Sequence, residues 1–225
     1  MLELSKDKKL SIIVTLFVFA ASALLLFLKN GYLIWVSAPA FLIMAAATCV
    51  FMKKRSIHSY NKNQVLMIVS VFAVLYLTLY YLLGLEYGFV ISNKGVLSFA
   101  SFFIYIVPTA VIIFASELTR EVILAQPIKI ATPIAYAVGV ISELVCAEGI
   151  PVIRSAYQLA DFFGLTLFPA LTASFLFTYL TKRYGKYPSI VYRSVLTLYV
   201  YLIPAFPDIP HAIRAFALLA LPIII

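Results

Sequence analysis

A chain of 225 residues that is 64% hydrophobic and only 12% charged falls outside the soluble globular class, where about 25% of residues are charged. Its mean hydropathy is +1.06, and its net charge of +8 sits in basic residues that punctuate apolar runs, so nucleic acid is excluded as the partner in favour of the lipid bilayer. Composition predicts an all-α, polytopic integral membrane protein of a cell membrane, one domain over residues 1–225, with no room for a soluble domain.

The apolar runs, in order, are Leu10–Leu28, Gly31–Met52, Val65–Gly84, Val96–Ala115, Ile130–Ala147, Phe162–Thr181, Ile190–Phe206 and Ala212–Ile225. A helix needs roughly 20 apolar residues to cross a core of about 30 Å, which makes the first four full spans. The fifth, seventh and eighth are shorter or interrupted, and span only where protein or water shields their charges. The first run is longer than a signal-peptide core, and its small residues Ala20–Ala23 sit in the middle of it, so it is read as a retained span. Cys49 and Cys146, far apart in apolar surroundings, are read as two buried structural thiols.

Basic residues set a consistent orientation. Lys6, Lys8 and Lys9 precede the first run, and Lys53, Lys54, Arg55 and Lys62 follow the second. Arg120 and Lys129 follow the fourth; Lys182, Arg183 and Lys186 follow the sixth. The opposite loops carry the single charges Lys29, Lys94, Arg154 and Arg214. Eight spans with both termini cytoplasmic are predicted. The chain closes on Leu221-Pro-Ile-Ile-Ile225 with no basic flank, which places that end at the membrane surface or makes the chain part of something longer.

Residues 1–115 read as an apolar scaffold, and residues 116–225 carry prolines and ionisable groups. A charge at the bilayer centre costs roughly 2.5–3.5 kcal/mol on insertion scales, so such groups face other helices or a wet cavity. The first constellation is Ser116-Glu-Leu-Thr-Arg-Glu121, where Glu117, Arg120 and Glu121 crowd one face if the helix continues, until Pro127 ends it. It reads either as a self-compensated helix end at the headgroups or as a buried ion-pair node. Glu143 is placed about one turn below the outer surface, pointing outward or inward, with Glu148 at that surface. Arg154, Gln158 and Asp161 are spaced as one helical stripe, read as facing the bundle interior in preference to a surface helix, and Pro169 is expected to kink the span that follows.

In the last constellation Ser189, Arg193 and Thr197 share a helical face, with Tyr192 and Tyr199 on a neighbouring one. Arg193 either snorkels outward or pairs with Glu117 or Glu121. Pro204, Pro207 and Pro210 stop that helix, and Asp208 is placed as N-cap of the last one, with a site role as the alternative. No zinc-binding, aspartyl-protease, serine-nucleophile or P-loop motif is present, so no metal and no cofactor is expected; His58 and His211 are isolated and read as solvated.

Several of these pieces resemble the membrane region found in or beside type I signal peptidase-like proteins of bacteria and archaea. They are Glu117-Leu-Thr-Arg120, Asp161, Leu180-Thr-Lys-Arg-Tyr-Gly-Lys186, Pro188-Ser-Ile-Val-Tyr-Arg193, Leu198-Tyr-Val-Tyr-Leu-Ile-Pro204, Pro207-Asp208 and the closing Leu-Pro-Ile-Ile-Ile. The resemblance covers the C-terminal half and does not include the peptidase domain, so no catalytic residue is carried over. It implies a non-catalytic module that anchors or supports a signal-peptidase-type subunit or domain. The other readings are a small-solute or ion transporter with buried carboxylates, and an intramembrane hydrolase using paired glutamates. The expected polar node comprises Glu117, Arg120, Glu121 and Arg193, with Asp161 as its next member and Glu143 and Asp208 as further candidates.

Overall fold

Backbone donors and acceptors at membrane depth have no water to bond, so apolar runs of this length settle as helices. A computed structural model of the chain describes residues 6–28, 30–52, 61–91, 99, 102–147 and 149–224. Among them are eight helices: α1 (Lys6–Leu25), α2 (Asn30–Phe51), α3 (Lys62–Tyr87), α4 (Phe102–Leu124), α5 (Ala131–Cys146), α6 (Ala156–Tyr184), α7 (Lys186–Leu202) and α8 (His211–Ile224). Two short strands, β1 (Phe89–Ile91) and β2 (Ala205–Pro207), pair antiparallel with Val90 opposite Phe206, joining the end of α3 to the chain leaving α7.

Five helices, α1, α2, α3, α4 and α6, are long and apolar enough to cross a membrane. The expected count of eight spans is therefore met only in part, since α5, α7 and α8 have 16, 17 and 14 residues. Large apolar side chains stand on the outside of the bundle, Phe17, Leu24, Ile43, Leu85 and Phe175 among them, as lipid contact requires. Glu148, His58, Lys53 to Arg55 and the Ile225 terminus lie outside the described residues.

Prolines inside α4 and α6 are handled alike. Each follows two residues after a π-helical stretch, Pro108 after Phe102–Ile106 and Pro169 after Phe162–Leu167. A proline lacks the N–H and crowds the carbonyl four residues back, and the widened turn places that carbonyl clear of the ring. The kink expected at Pro169 is realised as this π stretch, and the Thr172 hydroxyl donates to the carbonyls of Phe168 and Pro169 at 3.2 and 3.1 Å.

α4 is the hub. It packs against α2, α5, α7 and α6, while α3 packs on α7 and α8 on α6. One apolar core joins α1, α2, α4 and α5 through residues such as Val18, Phe41, Ile112 and Val138; a second joins α3, α6 and α7 through Val69, Phe177 and Tyr192. The polar site lies between these two cores.

Candidate functional site

Four charged side chains from three helices meet inside the bundle. Arg120 and Glu117 sit one turn apart on α4, both 0% exposed, with Arg120 Nη1 donating to Glu117 Oε1 at 2.6 Å. Arg193 enters from the middle of α7. Its Nη1 donates to Ser116 Oγ at 2.6 Å and to the same Glu117 oxygen at 3.3 Å, and its Nη2 donates to Ser142 Oγ at 3.0 Å. Its Nε lies 2.6 Å from Oε1 of Glu143, on α5. The order of contact is Arg120, Glu117, Arg193, Glu143, so each carboxylate has a guanidinium beside it and the formal charges cancel. Two charges removed from water cost several kcal/mol each unless paired in this way, so cancellation is the condition for their being here.

Small polar residues line the approach of the helices. Thr181 of α6 reaches Glu117 Oε2 at 3.4 Å and Ser189 of α7 at 3.0 Å, and Ser189 donates to the Phe177 carbonyl at 3.2 Å. Either hydroxyl can donate across the Thr181–Ser189 contact, so Thr181 can accept from Ser189 while donating to Glu117. Gly139 is required by the space available. A Cβ there would fall onto the Arg120 guanidinium and the Ser174 hydroxyl. Arg120 is also stacked over the Phe177 ring, its guanidinium carbon 5.7 Å from the centroid. Arg120 Nε and Nη2 have no hydrogen-bond partner among the described residues, and the Arg193 Nε–Glu143 Oε1 contact is an ion pair without hydrogen-bond geometry.

Three of the seven expected node residues stand elsewhere. Glu121 turns away from Glu117 and pairs with Lys186 at 2.8 Å, at the half-buried junction of α6 and α7. Asp161 faces the protein's periphery and pairs with His211 of α8 at 3.1 Å, both partly exposed. The inward stripe of Arg154, Gln158 and Asp161 does not form, because Ser155 caps α6 by accepting from the Gln158 N–H, leaving exposed Arg154 in extended chain before the helix. Asp208 is exposed in the loop before α8; its backbone N–H donates to the Gly88 carbonyl, and Pro210 immediately precedes the helix, so Asp208 is not its cap. His211 is thus less isolated than expected. Cys49 is exposed on α2, which corrects its expected burial, while half-buried Cys146 accepts from Arg193 Nη2 at 3.8 Å.

Glu143 turns inward, and it meets a residue assigned by the basic-loop pattern to the opposite side of the membrane. Sequence reasoning also passed over Gly139, Ser142 and Thr181, whose signal is the small or hydroxylated residue that lets helices approach closely.

No protein-family model, curated protein or solved structure matches this chain. The site is therefore interpreted on its own chemistry. Among the described residues no group of three or more His, Cys, Asp or Glu side chains is placed to hold a metal ion.

Beside the charge chain lies a half-open cavity of about 390 Å³. Glu143, Cys146 and Arg193 form one wall, Phe177 and Tyr192 another, and Arg214 of α8 stands on its border. The Tyr192 hydroxyl is buried without a hydrogen-bond partner among the described residues. The volume is within the range of sites that take small organic molecules, roughly 300–1,000 Å³.

Proposed function

We propose that this chain is a multi-pass membrane module, both termini cytoplasmic, that supports a signal-peptidase-like activity without carrying its hydrolytic groups. The observation that carries this reading is the convergence of Glu117, Arg120 and Arg193. These are the charged residues of the resembling motifs Glu-Leu-Thr-Arg and Tyr-Arg, and they meet in one buried, charge-cancelled cluster. Glu117 is fully buried, with Oε1 taken by two guanidinium groups and Oε2 by Thr181, so it presents no open oxygen to a substrate. Such a cluster instead fixes how α4, α5 and α7 seat against one another, and a rigid seat is what an anchoring module offers. The paired-glutamate hydrolase is disfavoured on the same ground, since Glu117 and Glu121 turn to different cations.

The test is affinity purification of the tagged chain from its native membranes in mild detergent. The reading expects a serine-peptidase subunit or domain in the eluate, absent from a tagged control of similar span number, and no peptide cleavage by the chain alone. Cleavage of a signal-peptide substrate by the pure chain overturns it. A solute carrier is the second reading, favoured by the cavity bordered by Glu143. It expects uptake by the protein in proteoliposomes that Glu143→Gln abolishes.

A further inference from the structure

A second cavity, of about 370 Å³, lies between α3 and α8 and shares Tyr76 and Arg214 with the first. Its walls are almost wholly apolar, including Leu75, Leu79, Leu83, Phe216 and Ala217. Arg214 thus stands where a mixed polar cavity meets an oily slot. It is exposed, and no carboxylate among the described residues lies within ion-pair distance of it. The nearby acid Asp161 is already taken by His211. Arg214 sits in the first turn of α8, where unpaired backbone N–H groups and the positive end of the helix add to its charge. A cation on the border of an apolar slot calls for a ligand with a negative head and a hydrocarbon tail.

We propose that the slot between α3 and α8 binds an anionic phospholipid, its acyl chain along Leu75, Leu79 and Phe216 and its phosphate on Arg214. Charge complementarity favours this occupant, since the lining supplies apolar walls for a tail and one cation, Arg214, for an anionic head. The inference rests on the membrane part of the reading above and not on any peptidase partner. It gives α8, whose 14 residues are few for a span, a lipid that fills the gap between it and α3.

The experiment is native mass spectrometry of the full chain released from detergent, with dipalmitoyl phosphatidylglycerol and phosphatidylcholine offered in equal amounts. One arginine near a headgroup contributes about 1 kcal/mol, so wild type is expected to retain the anionic lipid about fivefold over the zwitterionic one. Arg214→Gln should bring that ratio to parity, Arg214→Lys should keep most of it, and Ala217→Trp, filling the slot, should reduce retention of both lipids. Arg183→Gln, a cation stacked on Tyr179 at the other end of α6, should leave the ratio unchanged. Equal retention of the two lipids by wild type, or a preference that survives Arg214→Gln, overturns the proposal. Displacement of the lipid by millimolar inorganic phosphate also overturns it, by making the site one for a free anion. Should the protein stay monodisperse with no detergent, the membrane reading fails first, and that outcome is distinct from parity between lipids.

Discussion

Two of the acid–base clusters among the described residues stand at opposite extremes of burial. Glu117, Arg120, Glu143 and Arg193 are buried between three helices, with only Glu143 reaching 16% side-chain exposure. Asp161 and His211 sit at the edge, 29% and 61% exposed, and bridge α6 to α8 through one 3.1 Å contact. In the interior, a partner is the condition for a charge to exist at all; at the edge, water can replace it. Pairing of an acid with a base therefore acts as a lock in one place and as a loose tie in the other.

Mutations sharpen this contrast in graded steps. The largest effect is expected from Arg193→Met, which strands Glu143 and leaves Glu117 with one cation: a loss of ~3–5 kcal/mol, read by thermal unfolding in detergent. Next comes Gly139→Ala, whose Cβ would collide with the Arg120 guanidinium and Ser174; overpacking of this kind costs about 1–3 kcal/mol, and the variant should unfold several degrees below wild type. Gly185→Ala should cost about 1–3 kcal/mol, since its φ of 80° with ψ of 179° at the α6–α7 turn is a conformation reserved for glycine. The smallest effect belongs to Asp161→Asn, where an exposed pair is worth about 0–1 kcal/mol and salt should remove most of it. A loss at Asp161 equal to that at Arg193 would erase the distinction between the two clusters.

How much of this could be read from the sequence follows the range of each interaction. The helical continuation through Ser116-Glu-Leu-Thr-Arg120 was legible, because the Glu117 and Arg120 spacing of three already places them together. The inward turn of Glu143 was not, because it depends on an arginine 50 positions later on a different helix. The start of α6 was legible but misread: Ser155-Ala-Tyr-Gln158 has the pattern of a helix cap, and the helical stripe drawn through Arg154 overlooked it. The pairing of β1 with β2 had no local signal, since each strand is three residues long and they come from opposite halves of the chain. Five helices are long and apolar enough to cross a membrane by themselves, whereas α5, α7 and α8 fall short of the roughly 20 residues a crossing needs.

The central claim is that the interior charges exist for one another. The direct measurement compares unfolding of Arg193→Met, Glu143→Leu and the double variant under one detergent condition. Removing both groups restores neutrality around the remaining Glu117 and Arg120, so the double variant should unfold at a higher temperature than Arg193→Met alone. A double variant less stable than either single, with losses that simply add, would contradict the account.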